Sequence, residues 1–599
     1  MTSNQLHTFH IPVMGLAYTI DSPIKVAKYG IASVISVMDD DLIERMNAFY
    51  SAKFNFPYQE ITQKMFDFRA HRITSYLNLV DKIVKQKLEQ LKSELLESKV
   101  VMDEYIAMLP DSSKIKKELQ ELLKNGSVLK EQLKSFIDKK LKAGAIDVNI
   151  MTKVDKDNFV RNKQLPIEFN DAHAALRGFA NSELESSVVL SAGMNPRLYS
   201  YFEQFADFYP NKHQVIKKKI ILKVSDFRSA MIQGSFLAKK GLWVSEYRIE
   251  SGLNCGGHAF ATDGYLLGAI LEEFKTKKAE LIQATHELLS KALLQKGKNV
   301  PEQPLELRIT VQGGVGTGEE HQFLLDHYNV DSVGWGSPFL LVPEATTVDA
   351  ATRELLSKAT EADLFLSNIS PLGVPFNSIK GTTNDAFRES RILKGKAGSA
   401  CPKKYLVLNK EYSEQGLCTA SKKYQEFKLN ELERQKEELS REAYHTRFTE
   451  ITEKSCLCVG LSNAALLDNK MDVKGEPQGV IICPGPNMAY FSGDVSLFRM
   501  VQHIYGKDNI LPPNQERPHF FIKELRMYID YFKKETSTLL RNTLNTKNNK
   551  LDKFHQNLME GIRYYQDLFT NQEHYFMADK NNILHELAAI EAEITTYSH

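Results

Sequence analysis

Short apolar runs that end in glycine or serine recur along this chain, and helical patterns separate them. Ser187–Gly193 (SVVLSAG) and Lys218–Ser225 (KIILKVS) are two such runs, and the segment from Tyr199 to Tyr209 between them has helical spacing. Alternation of this kind predicts parallel strands, because a parallel pair needs a long crossover that a helix supplies. Further runs of the same type are Ile11–Thr19, Ile31–Ile35 and Ile146–Thr152. The predicted fold class is α/β, a (β/α)8 TIM barrel.

Long helical patterns interrupt and extend this barrel. Lys, Glu and Leu dominate residues 39 to 145, as in Tyr76–Leu96, which is typical of packed helical hairpins with charged outer faces. We predict a helical insertion at about 39–145 within a barrel that covers residues 1–382. A Cys-containing α/β extension at 383–493 and a mostly helical domain at 494–599 are expected to follow. The long helices are also where contacts between copies in a homo-oligomer are expected.

A glycine pair beside a histidine marks the first candidate site. Gly256, Gly257 and His258 lie in Glu250–Phe260 (ESGLNCGGHAF), between an apolar, strand-like run at 241–244 and an amphipathic helix that begins near Leu266. In a β/α barrel the loops after the strands form the active site. Paired glycines let the backbone approach a flat or phosphorylated ligand, and histidine titrates near neutrality, as a base that removes a proton from carbon must. The plain alternative is a glycine-rich turn with an incidental histidine.

Two further strands carry small residues at their carboxyl ends. Leu307–Gly318 (LRITVQGGVGTG) places Gly313 and Gly314 after a β-branched run, and Val330–Phe339 (VDSVGWGSPF) places Gly336 and Ser337 after the next. A helix is predicted at 319–327, so the free backbone N–H groups of these loops would lie near a helix N-terminus. Such loops bind phosphate in many barrels.

These two regions resemble one enzyme family. Asn254–His258 is similar to the AGGH segment of nitronate monooxygenases, formerly called 2-nitropropane dioxygenases, and Val311–Phe339 is similar to their AGGI loop and GADGVQMGTRF strand. The flavin-dependent enoyl reductases of bacterial fatty-acid and polyunsaturated fatty-acid synthesis have a similar arrangement. The resemblance is confined to the barrel portion of the chain, and it implies FMN at the carboxyl ends of the strands.

The resemblance also implies roles for individual residues. The backbone at Met14 and Gly15 would lie against the flavin ring, and the cofactor phosphate would bind the amides of Gly313, Gly314, Gly336 and Ser337. His258 would abstract an acidic proton beside a nitro group, or protonate carbon in an enoyl reductase. Lys223 lies near a strand end, where a cation would stabilise the reduced flavin. The alternative for Lys223 is a rim lysine that extends to solvent.

Four of the six cysteines are concentrated after the barrel. They are Cys401, Cys418, Cys456 and Cys458. Four thiolates are what a [4Fe–4S] cluster or a structural zinc needs, although a helical pattern at 424–452 separates the two pairs and the spacing is not a compact ferredoxin or zinc-ribbon pattern. The alternative is four small buried side chains. The cysteines do not resemble the disulfide framework of a secreted protein.

Composition excludes some classes of function. The net charge is +1, so no global electrostatic argument favours nucleic acid or an anionic membrane as a partner. The first ten residues contain no signal-peptide pattern, and no run approaches the length of an apolar membrane span. We therefore expect a cytoplasmic protein without a membrane partner.

Together these patterns predict an FMN-dependent oxidoreductase that resembles nitronate monooxygenase and acts on a small molecule. One alternative is a flavin-dependent reductase, with or without an iron–sulfur cluster, that acts on an enoyl or larger substrate. The other is a non-catalytic flavin-binding or scaffold protein, which would not need both glycine loops and His258.

Overall fold

Eight parallel strands close into a barrel in which neighbours in the chain are neighbours in space. The computed structural model describes residues 6–124, 130–191, 193–473, 479–513, 515–541 and 549–596. In chain order, the barrel strands are Phe9–Ile11, Ala32–Ser36, Ile146–Met151, Ser187–Ser191, Lys219–Val224, Val244–Glu250, Arg308–Gln312 and Ser332–Gly334. The first strand closes the barrel by pairing His10 with Gly334 of the eighth and with Ala32 of the second. The predicted (β/α)8 barrel is confirmed.

Helices cover the outside of the barrel between its strands. They are Ser22–Val26, Asp171–Ala180, Pro196–Tyr201, Phe227–Ala238, Leu267–Gln295, Gly318–Tyr328 and Ala350–Ser357, with 3-10 turns at Ala27–Tyr29, Ile167–Phe169, Phe202–Gln204, Ala206–Phe208 and Ser337–Leu341. Between the second and third strands lie Asp40–Lys53, Phe68–Glu97, Lys99–Met108, Lys114–Lys124 and Lys130–Lys140, where a helical insertion was expected. Two-stranded antiparallel pairs form from Phe159–Val160 with Lys163–Gln164 and from Leu364–Ser367 with Phe376–Ile379.

The first strand, Phe9–Ile11, lies earlier than predicted and shares only Ile11 with the run Ile11–Thr19. It ends at Ile11, because Pro12 has no backbone N–H to continue the ladder. The rest of the run, including Val13 and Met14, forms a loop at the carboxyl end of the barrel. Val13 packs against Val34, Val189 and Ile221, which form a small apolar cluster of their own.

The sixth strand differs most from its prediction. The apolar run at 241–244 only leads into it, and the strand itself is Val244–Glu250 (VSEYRIE). Glu246 and Arg248 share a face because side chains alternate along a strand, and both are buried. They bond to each other at 2.7 Å, and Thr310 Oγ1 donates to Glu246 at 2.7 Å. Burial alone would raise the pKa of Glu246, but Arg248 and Arg308 lower it to about 2.

In the described chain beyond residue 382, helices joined by loops are the main regular structure. Its helices are Thr383–Leu393, Lys422–Arg434, Arg441–Thr452, Leu457–Asp468, Leu497–Ile504, Phe520–Arg541, Asn549–Thr570 and Lys580–Thr595, with a 3-10 turn at Pro486–Tyr490. Within the described residues of 383–493 only isolated β-bridges form, so the α/β character expected there is not observed. The apolar runs of this region lie in a buried helix and in loops packed on the barrel. The three proposed domain boundaries stay a prediction.

The C-terminal helices dock directly on the barrel. Glu524 is buried, and its carboxylate accepts hydrogen bonds from Ser251 Oγ and, at 2.9 Å, from the backbone N–H of Leu267. The second bond caps the first turn of the helix Leu267–Gln295. Burial raises the pKa of Glu524 to about 7.

No helix in the described parts of the chain is both long and apolar enough to cross a membrane.

Candidate active site

A cavity of about 240 Å³ lies at the carboxyl ends of the barrel strands. Seven of the eight strands contribute a lining residue at or near their last position. These residues are Ser36, Asn149, Ser191, Lys223, Glu250, Gln312 and Gly334. Because the strands are parallel, their carboxyl ends meet at one end of the barrel. In TIM-barrel enzymes the active site lies at this end.

All ten residues that the sequence suggested for catalysis and flavin binding line this one cavity. They are Met14, Gly15, Lys223, Gly256, Gly257, His258, Gly313, Gly314, Gly336 and Ser337. They come from five separate stretches of the chain. Their convergence shows that the two glycine loops and the histidine form a single site, whereas their individual roles stay predictions.

Two of the glycines leave space in which a ligand can approach the backbone closely. A Cβ on Gly257, which has a φ of +78°, would meet no atom within 4 Å. A Cβ on Gly336 would come only within ordinary contact of Pro12 Cγ at 3.5 Å and Met14 Sδ at 3.8 Å. The space in front of both residues is therefore available to a bound molecule.

Gly313 and Gly314 are glycines for a different reason. Their φ angles of +133° and +77° lie where other residues are strained. A Cβ on Gly313 would lie 2.6 Å from Ser251 Cβ, and a Cβ on Gly314 would collide with the side chain of Asn254. This loop is packed tightly against the loop that follows the sixth strand.

Backbone N–H groups near the cavity remain available for an anion. Within the described residues, those of Gly313, Gly314 and Gly336 have no hydrogen-bond partner. Consecutive N–H groups of this kind bind phosphate. The amides of Gly316 and Thr317, by contrast, donate to Glu320 Oε2, at 2.8 Å and 3.3 Å. Glu320 thereby caps the helix Gly318–Tyr328, so the N-terminus of this helix is not part of the anion site. The residues present fit a cofactor phosphate on the loops themselves.

His258 is held at the cavity wall in a neutral state. Its Nε2 lies 2.7 Å from Ser370 Oγ, and its ring contacts the edge of Phe376 with ring centres 4.9 Å apart. Burial lowers the pKa of His258 to about 4. The imidazole is therefore uncharged near pH 7 and has a ring nitrogen able to accept a proton.

Lys223 is neither a lone cation nor a rim lysine. Its Nζ lies 2.8 Å from Glu250 Oε2, and both side chains are largely covered. Gln312 Nε2 donates to Glu250 Oε1 at 2.6 Å, which joins the ends of three neighbouring strands. The charge of Lys223 is thus balanced within the cavity wall.

The roof of the cavity comes from chain that follows the eighth strand and the helix Ala350–Ser357. Its residues are Leu372, Phe376, Tyr405, Leu406, Leu457, Cys458, Leu461, Cys483, Gly485 and Asn487. Two hydrogen bonds connect the roof to the predicted loops. Gly485 N–H donates to Ser337 Oγ at 2.7 Å, and Gly257 N–H donates to the Cys483 carbonyl at 3.2 Å. Asp39 accepts from Lys403 and Ser462 and, at 3.1 Å, from Tyr405.

The four post-barrel cysteines are buried close to this roof. Cys401 and Cys418 are hydrogen bonded to each other, and this contact together with burial raises the pKa of Cys418. Burial likewise raises the pKa of Cys458, which lines the cavity. Among the residues that the structure describes, no group of three or more His, Cys, Asp or Glu side chains is placed to hold a metal ion. The [4Fe–4S] cluster or zinc ion at Cys401, Cys418, Cys456 and Cys458 therefore gains no support from the described residues and stays a prediction.

Several cavity residues escaped the sequence patterns. Glu250 and Gln312 end their strands directly before glycine loops, so their positions at strand ends are a signal that could have identified them. Asn487, Tyr405 and Leu461 carry no such signal, because their sequence neighbourhood is not part of the barrel. They reach the cavity only through the path of the chain after residue 382.

Comparisons with known proteins give weak likenesses. No protein-family model matches the sequence, and a search of curated proteins finds no match. Among solved structures, the enoyl reductase domain of MlnA from Bacillus amyloliquefaciens is 14% identical, with 72% of this chain and 89% of that chain covered and a TM-score of 0.33. FabK from Thermotoga maritima is 10% identical, with 88% and 97% covered and a TM-score of 0.34. Nitroalkane oxidase from Streptomyces ansochromogenes is 10% identical, with 83% and 94% covered and a TM-score of 0.34. At these values the likenesses carry no argument about function.

Proposed function

We propose that this protein is an FMN-dependent oxidoreductase that removes a proton from an acidic carbon of a small molecule, as in nitronate monooxygenases. The observation that carries the proposal is the convergence of two open glycines, unpartnered loop amides and a neutral histidine on one cavity. Bound flavin would supply the two-electron redox chemistry that amino-acid side chains lack.

The loop amides are proposed to hold the cofactor phosphate. The N–H groups of Gly313, Gly314 and Gly336 lie on the loops that follow the seventh and eighth strands. Charge-assisted hydrogen bonds to backbone N–H groups suit a phosphate group, and they need no basic side chain. Gly257 and Gly336 leave room for the rest of the cofactor to approach the backbone.

His258 is proposed as the base. A neutral imidazole can act directly as a general base. To act as a general acid toward carbon, it would first have to be protonated. With its pKa lowered to about 4, His258 is a weak base, which suits a substrate whose C–H bond is already acidic, such as a carbon beside a nitro group. Ser370 orients the ring through its contact with Nε2.

Reduction of an enoyl substrate is the second candidate. The observation that favours it is the apolar part of the cavity, whose walls include Met38, Met151, Leu406, Leu457 and Leu461. Such walls suit a hydrocarbon chain. In this reaction His258 would protonate carbon, which its low pKa opposes near neutral pH.

Flavin binding is the first test of the proposed function. The purified protein is titrated with FMN and riboflavin, bound flavin is quantified by absorbance, and iron and zinc are measured on the same sample. We expect one FMN per chain with a dissociation constant of about 1 μM or tighter. The loaded protein is then mixed anaerobically with a nitroalkane or, after reduction, with an enoyl thioester. Failure to bind FMN would overturn the proposal.

The Lys223–Glu250 pair gives a second prediction. Glu250→Gln removes the negative partner of Lys223, so the remaining cation should favour the reduced flavin and raise the midpoint potential. Lys223→Met should lower it. We expect shifts on the order of 30 mV, a tenfold change for a two-electron couple. The potentials are measured by spectroscopic titration against redox dyes. The double variant should lie near the wild type, and a downward shift in Glu250→Gln would contradict the assignment.

A further inference from the structure

Arg517 connects the C-terminal region to the glycine loop of the cavity. It lies just before the helix Phe520–Arg541, and its side chain is only 8% exposed. Its Nη2 donates to the carbonyl oxygen of Gly314 at 2.6 Å, its Nη1 to Glu320 Oε1 at 2.6 Å, and its Nε to Asn487 Oδ1 at 2.9 Å. One guanidinium therefore holds three separate parts of the chain in one plane.

The partners of Arg517 fix the same loop at neighbouring positions. Asn487 Nδ2 donates to the carbonyl oxygen of Val315 at 2.8 Å. Glu320, which accepts from Arg517 through Oε1, accepts from the N–H of Gly316 through Oε2. Burial would raise the pKa of Glu320, but the charge of Arg517 keeps it below its usual value. Two successive carbonyls of the loop, those of Gly314 and Val315, are thus hydrogen bonded.

The hydrogen bond from Arg517 to the Gly314 carbonyl, here called the clamp, also sets the direction of the next N–H group in the loop. In a trans peptide the C=O and the following N–H point in opposite directions, and the structure has no cis peptide bond among its described residues. Holding the Gly314 carbonyl toward Arg517 therefore turns the N–H of Val315 away from it. Val315 lines the cavity, and its N–H has no hydrogen-bond partner among the described residues.

We propose that Arg517 is a positioning residue that sets the free amides of the loop 313–315, that of Val315 most directly, for the cofactor phosphate. The inference rests on the proposed flavin function, and it assigns part of cofactor binding to chain outside the barrel. Arg517 acts through the loop and does not contact the phosphate, because its donors are directed at Gly314, Glu320 and Asn487. Its loss should weaken the binding of a phosphate-bearing flavin selectively.

The test compares two ligands that differ only in the phosphate. Dissociation constants for FMN and riboflavin are measured for the wild type, Arg517→Met and Arg517→Lys. We expect Arg517→Met to bind FMN roughly tenfold to a hundredfold more weakly, the effect of one lost charged hydrogen bond, with riboflavin affinity changed less than about threefold. Arg517→Lys should also lose FMN affinity, because an ammonium cannot hold three acceptors in a plane. If Arg517→Met does not fold, Arg517→Lys carries the test.

Arg526→Met is the matched control. Arg526 lies on the helix Phe520–Arg541 and pairs with Glu586 at 2.6 Å, but its side chain is 54% exposed and it does not line the cavity. Its replacement should leave both affinities unchanged. Unchanged FMN affinity in both Arg517 variants would overturn the inference, and so would an equal loss for FMN and riboflavin. A wild type that binds neither flavin would instead contradict the proposed function.

Discussion

Replacement of His258 with alanine is expected to lower turnover by roughly a hundredfold to ten-thousandfold, the usual contribution of a positioned base, while FMN remains bound. The ring contacts Ser370 and Phe376, and a Cβ in its place keeps the backbone of the glycine loop. Steady-state rates and flavin content are measured on the same preparation. His445→Ala, at an exposed position on the helix Arg441–Thr452, is the control and should be fully active.

The pH profile separates the two roles of His258. Burial lowers its pKa to about 4, so the base form is fully present above that value and is lost as pH falls through it. Proton abstraction should therefore stay constant from about pH 5 to 8 and decline below. Proton donation would show the opposite slope, with activity rising as pH falls toward 4. Unchanged turnover in His258→Ala would remove His258 from the mechanism.

Gly336→Asp is expected to weaken FMN binding by roughly a hundredfold or more. Two charges 4 Å apart repel by about 4 kcal/mol at an effective dielectric constant of 20, and an added carboxylate would face the phosphate. Gly336 suits this test because its φ is −100° and a Cβ fits without collision. Gly314→Asp would be ambiguous, since its φ of +77° and the buried Asn254 side chain oppose any substitution.

Neutral substitutions at the same position isolate the charge. Gly336→Asn has the shape of aspartate without its charge, and Gly336→Ala adds only a methyl group. Both should retain most of the FMN affinity, as measured by fluorescence titration, and the riboflavin affinity of Gly336→Asp should fall much less than its FMN affinity. Equal losses in Gly336→Asp and Gly336→Asn would show that the phosphate does not bind beside Gly336.

Local pattern was a reliable guide where the strands are apolar on both faces. The runs at Ser187–Ser191 and Lys219–Val224 form strands within two residues of their predicted ends. The sixth strand was mislocated because its inward face carries Glu246 and Arg248, which neutralise each other inside the barrel. In a sequence, a charged residue predicts an exposed position, because the partner that neutralises it in the interior is not visible in the local pattern. The region 383–493, where α/β structure was expected, forms no strand among its described residues, because its apolar runs are buried in the helix Leu457–Asp468 and in loops packed on the barrel.

The sequence by itself determined the barrel and most of the candidate site. In a parallel barrel all strands end at the same end of the barrel, so glycine loops and a histidine that follow those strands lie together there. Tertiary structure alone decided the pairing of Lys223 with Glu250, the roof, and the clamp of Arg517 on Gly314, which lies 203 residues earlier in the chain. Local propensity acts over a few residues, whereas these contacts depend on the path of the whole chain after the barrel closes.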